Sequence, residues 1–169
     1  RDVLNPERLG VVMGTGLIPI DMPDIAPLLA DAVNQGGQFQ ANLLGRKGAE
    51  GIPPLWLLQY LPNMVAAHIS LVFNAQGPNN TITTACAAGT QAVGEAFRLI
   101  QRGDLDVCLS GGSDSRIDPF MLLAYRALGA LSQASREPVE VSRPFDGQRD
   151  GFVLGEGAGV LMLEEYEMA

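Results

Sequence analysis

Cys86 is the residue of this 169-residue chain best placed for covalent chemistry. It lies in Thr81-Ile82-Thr83-Thr84-Ala85-Cys86-Ala87-Ala88-Gly89, where alternating β-branched and polar residues give way to small ones and then to a helical pattern. Beyond it Val93, Ala96, Phe97 and Ile100 recur at helical spacing. Gln91, Glu95, Arg98 and Arg102 fall on the opposite side, and Gly103 supplies a C-terminal stop. The pattern predicts a strand, a tight turn and a helix with the cysteine at its N-terminus. Unpaired backbone N–H groups and the helix dipole at such an end favour negative charge, which suits a thiolate nucleophile. The small residues Ala85, Ala87, Ala88 and Gly89 leave room for an incoming carbonyl. A buried structural cysteine at a tight turn is the competing reading, and the rest of the chain has to decide between the two.

Other reactive residue types carry less. Cys108 falls within the short apolar run Val107-Cys108-Leu109, which reads as a buried strand, so it is expected to be inert packing. His68, the single histidine, shares a stripe with Met64 and Val72, and a histidine on an apolar face is expected to be a hydrogen-bonded core residue, not a general base. No His, Cys and Asp residues recur at metal-ligand spacing, so neither metal nor cofactor is expected. Gly14-Thr15-Gly16 follows an apolar strand but lacks the third glycine of a dinucleotide fingerprint and reads as a backbone turn. Gly155-Glu156-Gly157-Ala158-Gly159 leads into a β-like run and not into a helix bearing Lys-Ser or Lys-Thr, so it is no phosphate loop.

The elements that must position Cys86 alternate. Strands are predicted at 9–13, up to the cysteine, at 107–109 and at 160–163. Helices are predicted at 21–34, with Pro23 and Pro27 confining its start and Gly36-Gly37 ending it, and at 64–73, capped by Asn63. A further helix runs from the Asp118-Pro119 cap to about Leu128, where Gly129 ends it. Residues 45–54 and 142–151 read as exposed loops, the second with two Arg-Asp pairings. The fold class is therefore α/β, with helices on the faces of a mixed sheet. A net charge of −8 argues against nucleic acid or an anionic membrane as the main partner. The absence of a long apolar span or signal-peptide pattern predicts a cytoplasmic protein.

Three ordered motifs resemble the type II β-ketoacyl-acyl carrier protein synthases: Thr83-Thr84-Ala85-Cys86-Ala87-Ala88-Gly89; Phe97 to Asp104 with Asp106-Val107-Cys108-Leu109-Ser110-Gly111-Gly112; and Ser142-Arg143-Pro144-Phe145-Asp146 continuing through Arg149-Asp150-Gly151-Phe152 to Gly159. The resemblance covers most of the chain from Gly10 onward and is weakest from Asp21 to Leu61. It implies a thiolase-like fold of α-β-α-β-α layers, with residues 1–169 as most of the first half. The opening strand and helix would precede Arg1, and the second half, holding two histidines, a lysine and one oxyanion donor, would follow Ala169. The implied activity is 3-oxoacyl-acyl carrier protein synthesis in fatty-acid elongation: acyl transfer to Cys86, then decarboxylative condensation with malonyl-acyl carrier protein.

The resemblance also implies a set of contacts. Leu17 is a candidate acyl-channel residue, as is Tyr125, with Trp56 and Tyr60 as further substrate-binding candidates in a segment that departs from the family pattern. Arg46, Lys47 and Arg126 are candidate contacts for the acidic helix of acyl carrier protein, and Gly129 stands where the family commonly has arginine. The strand from Asn80 to Thr84 carries no charge to discourage edge pairing, and in the family its counterpart joins two subunits, so a homodimer is expected. Three other readings stay open: a non-catalytic partner subunit of the same fold, another thiolase-like cysteine acyltransferase, and an isolated inactive segment that serves only in assembly.

Overall fold

A computed structural model describes residues 4–169 apart from Leu17, Pro19 and Gln35, and residues 46–50 by their backbone alone. The apolar run at its centre, β1 (Leu9–Gly14), is buried at every position, as a strand covered on both faces must be. Two strands flank it in parallel, β2 (Asn79–Ile82) and β3 (Val107–Ser115), and β4 (Glu156–Glu164) adds to β3 antiparallel. The sheet order is β2-β1-β3-β4, so β2 is an edge.

Alternation along β1 sends its side chains into two separate cores. Val12, with Cys108 of β3, packs under helix α4 (Ala88–Gln101) through Ala92, Ala96 and Leu99 and is closed by Leu105. Val11 and Met13 face the other way onto α3 (Met64–Phe73), where Ala66 is buried and Val65 and Ile69 pack alongside. The α/β class expected from the sequence, with a helix on each face of a mixed sheet, is what the chain adopts. Arg8, just before β1, ties the starting ends of the two central strands together. Its Nε donates to Asp106 Oδ2 at 2.6 Å, its Nη2 pairs with Asp106 Oδ1, and Nη2 also donates to the Gly103 carbonyl at 3.1 Å. The guanidinium holds the Asp106 carboxyl below its ordinary range.

Several expectations are corrected. Residues 45–54 do not form a loop throughout, because α2 (Ala41–Gly51) runs through most of them and packs against α1 (Met22–Asp31). Tertiary contact overrides the weak helical preference of its glycines. Helix α1 stops at Asp31 because Val33 turns out to bridge Phe39, and Pro27 sits inside it, not at its start. Asn63 precedes α3 without a side-chain capping bond, and His68 is exposed, so the Met64-His68-Val72 stripe faces away from the sheet while Ala66 faces in. On α4 the buried stripe is Ala88, Ala92, Ala96 and Leu99, whereas Phe97 is half exposed beside Arg98. Small side chains let the helix lie closer to the sheet than a phenylalanine would. β3 and β4 are each nine residues long, because the ladder continues through Gly112↔Gly159, Ser113↔Ala158 and Asp114↔Gly157. Backbone pairing there needs no β-forming side chains.

Helix α5 (Pro119–Ala127) matches its cap reading: Asp118 Oδ1 accepts from Met121 N at 2.9 Å, and Gly129 follows with φ 71°. In the 142–151 segment one pairing is an ion pair, Arg143 to Asp146 at 3.7 Å. Asp150 turns instead to the neighbouring loop, accepting from Ser132 Oγ at 2.6 Å and Gln133 N at 2.9 Å. Those two bonds hold its carboxyl below the ordinary range.

Candidate active site

β2 ends at Ile82, two residues short of the predicted strand, because Thr83 and Thr84 leave the sheet to form an elbow. Ala85–Ala87 make a single 3₁₀ turn that runs straight into α4, so Cys86 stands in the turn feeding the helix and is exposed. Ala85 holds φ 52°, a left-handed conformation that few alanines adopt. The turn's hydrogen bonds are donated by Ala87 N to Thr84 O at 3.3 Å and by Ala88 N to Ala85 O, which leaves the Cys86 N–H outside them. A free N–H beside an exposed thiol is an available donor to an oxyanion.

The elbow is seated by glycine. A Cβ on Gly14 would stand 2.3 Å from the Ala88 carbonyl carbon and 2.4 Å from Gly89 N, so the start of α4 can rest on the end of β1 only because that side chain is missing. Cys86 opens onto a cavity of about 260 Å³ lined by Gly14, Thr15, Ala85, Ala88, Gly89, Gly112, Ser113, Asp114 and Gly157–Gly159. A second cavity of about 440 Å³ shares Thr15, Ser113, Asp114 and Gly157 with it and extends to Ile18, Val65, Ser115 and Glu156. Its two acidic groups have partners: Asp114 pairs with Arg116 at 3.2 Å, and Glu156 accepts from Ser115 Oγ at 2.9 Å. Sequence reasoning passed over Thr15, Ser113 and Asp114. The available signal was their place at the carboxyl ends of the parallel strands β1 and β3, where open α/β sheets put their sites.

The other sequence candidates lie elsewhere. Cys108 is fully buried under α4, and burial pushes its thiol up to about 11. Trp56 and Tyr60 do not line the Cys86 cavity. Their rings stand 4.8 Å apart, and Trp56 Nε1, Tyr60 OH and Gln59 Nε2 all donate to Asp24 Oδ2, at 2.8, 2.6 and 3.2 Å. The three donors, the Tyr60 hydroxyl first, hold the Asp24 carboxyl below its ordinary range. Trp56 and Gln59 also line a separate groove of about 680 Å³ along α1. Tyr125 is half buried and Arg126 exposed on α5, and neither lines the Cys86 cavity. Leu17 and the side chains of Arg46 and Lys47 lie outside the described residues. Among the described residues no three His, Cys, Asp or Glu side chains gather as a metal site requires.

The chain that folds into this elbow matches the family model described as "Beta-ketoacyl synthase, N-terminal domain" over residues 2–169. The chain belongs to the beta-ketoacyl synthase family. It is 40% identical over 165 residues to the mitochondrial 3-oxoacyl-(acyl-carrier-protein) synthase of Arabidopsis thaliana, covering 96% of this chain and 32% of that protein. It is 38% identical to 3-oxoacyl-(acyl-carrier-protein) synthase 2 of Synechocystis sp., covering 98% and 36%. Among solved structures, a type II PKS ketosynthase in complex with its acyl-carrier protein and bound to the hexaketide superimposes with a TM-score of 0.75 at 29% identity, covering 97% of this chain and 38% of that one. The chain therefore spans about a third of the length of these relatives. Its sheet with a helix layer on either face is the ketosynthase, thiolase-like arrangement that the motifs implied.

Proposed function

We propose that this chain supplies the acyl-accepting half of a 3-oxoacyl-acyl carrier protein synthase, and the observation that carries the reading is the exposed Cys86 on its elbow with an unengaged N–H beside it. The thiolate attacks the carbonyl of an acyl thioester on acyl carrier protein, the Cys86 N–H steadies the oxyanion, and the carrier's thiol departs with a proton. Malonyl-carrier protein then loses carbon dioxide, its carbanion attacks the Cys86 thioester carbonyl, and a carbon–carbon bond replaces the carbon–sulfur bond as the thiolate leaves. The groups that promote decarboxylation belong to residues outside this chain, so residues 1–169 form a partial N-terminal ketosynthase domain. Leu17 and Tyr125 are assigned to contact the acyl chain, and Trp56 and Tyr60, held as a pair on Asp24, to do so from a subunit boundary. Arg46, Lys47 and Arg126 are assigned to the carrier protein.

A homodimer through β2 is part of the same reading, supported by an edge strand, Asn79–Ile82, with no charged side chain. A reducing compartment such as the cytoplasm suits an exposed thiol that must stay free. The test is peptide mapping after brief exposure of the full-length protein to an acyl thioester. Acylation at Cys86, abolished in Cys86→Ala, is expected, and uptake at Cys108 at the same rate would sink the assignment. For the dimer, light scattering of Thr81→Pro should show monomer, and an undiminished dimer would remove β2 from the interface.

A further inference from the structure

The elbow is anchored at its outer ends, where Thr15 N donates to Ile82 O at 3.0 Å and Ala88 rests on Gly14. Between those anchors its main-chain support is thin: the bond from Ala87 N to Thr84 O is 3.3 Å long, and Ala85 must be kept at φ 52°. One side-chain contact spans the gap. Thr84 Oγ1 donates to Gln91 Oε1 at 2.6 Å, from the residue just before the left-handed alanine to a residue within α4. Gln91 stands on the stretch of α4 whose neighbours Ala88 and Ala92 are buried against the sheet, so the acceptor is carried by a rigid element. The bond encloses Cys86 in a ring made of the elbow and the first turns of the helix.

We propose that Gln91 is a positioning residue for Cys86, acting through the Thr84 hydroxyl to fix the direction of Sγ and of the Cys86 N–H. The inference rests on Cys86 being the acylated nucleophile. Without the strap, Thr84 and Ala85 are free to relax towards extended backbone, which turns the Cys86 Cα and its N–H together. A small alkylating reagent needs only an accessible thiol. Acyl transfer needs the thiol and the oxyanion donor aligned at once, so it is the more sensitive to that rotation.

The experiment uses the full-length protein with octanoyl-N-acetylcysteamine as acyl donor, iodoacetamide as the small probe, and Tm as the check on folding. Gln91→Leu and Thr84→Val should each lower kcat for Cys86 acylation about 10-fold with KM nearly unchanged, while alkylation stays within about 3-fold of wild type. The double variant should be no worse than either single one, because one bond is lost in all three. Thr84→Ser keeps the donor and Gln91→Glu keeps the acceptor, and both should retain most of the acylation rate even if a bulkier replacement fails to fold. Wild-type acylation by Gln91→Leu, multiplying losses in the double variant, or a parallel fall of acylation, alkylation and Tm would each overturn the proposal. A wild-type protein that alkylates at Cys86 but never takes up the acyl group would instead overturn the functional reading, and this inference with it.

Discussion

Cys86 and Cys108 flank the same helix, yet α4 treats them in opposite ways. Cys108 points from near the start of β3 into the core beneath Ala92, Ala96 and Leu99, with no surface exposed. Cys86 sits where the chain has left β2 and not yet entered α4, exposed beside a cavity and next to a left-handed alanine. The side chains are chemically identical. What separates them is backbone geometry: a strand interior surrounds its residue on both faces, whereas an elbow lifts its residue clear of the packing that supports it.

The sharpest way to break this contrast is differential labelling. With the Cys108 thiol pushed up to about 11, only about one in a thousand is ionised at pH 8, and it is buried besides. Iodoacetamide modification of Cys108 should lag that of Cys86 by at least about 100-fold, as mass spectrometry of tryptic peptides would show. Comparable rates would mean that α4 opens readily and that the contrast is false.

Gly14→Val tests whether the elbow depends on the seat under α4. Its Cβ would overlap the Ala88 carbonyl carbon at 2.3 Å, so urea denaturation should show a loss of about 2–3 kcal/mol, and labelling should become less selective as Cys108 is uncovered. An unchanged midpoint with unchanged selectivity would show that the close approach is not required.

Ser110 sharpens the comparison from the buried side. It is fully buried two residues after Cys108 on β3, and its hydroxyl has no hydrogen-bond partner among the described residues. Ser110→Ala is expected to leave stability unchanged or raise it by about 1 kcal/mol, because an unsatisfied buried hydroxyl is removed. A clear loss in the same denaturation assay would reveal a partner for that hydroxyl.

The smallest effects are in pH. The folded Cys108 thiol titrates above its unfolded counterpart, so its contribution is fully present below the unfolded pKa and is lost as pH rises from about 9 through about 11. Cys108→Ala should flatten that alkaline limb in denaturation curves taken at several pH values. Asp150 has the opposite sign. Its folded pKa is depressed, so its contribution is present above the unfolded value of 3.8 and is lost as pH falls through the folded one. Asp150→Asn should weaken the acid limb and loosen the loop that Ser132 and Gln133 close upon it.

Local signals made much of this legible in advance. The strand-to-helix switch around Cys86, the Asp118-Pro119 cap, the Gly103 and Gly129 stops and the apolar runs of β1 and β3 all depend on neighbours in sequence, and all appear in the fold. The misreadings came where distant contacts outvote local preference. α2 is helical against α1 despite its glycines, β4 extends through Gly157 and Gly159 because β3 offers a partner, and α4 buries alanines because the sheet is too close for Phe97. The site divides in the same way. The exposed Cys86 at its elbow was readable because a strand-to-helix switch has a local pattern, but Thr15, Ser113 and Asp114 were not, because strands far apart in sequence bring them together.

The sequence by itself determined the alternation of strands and helices, the cysteine that stands at the strand-to-helix switch and the family motifs, because each is encoded in residue types and spacing over a few turns of chain. Only the tertiary structure decided which face of each helix is buried, which residues wall the cavity beside Cys86, and that Trp56 and Tyr60 close on Asp24 and not on the thiol. Those outcomes depend on sheet order and on how closely two backbones can approach, and no local pattern carries either quantity.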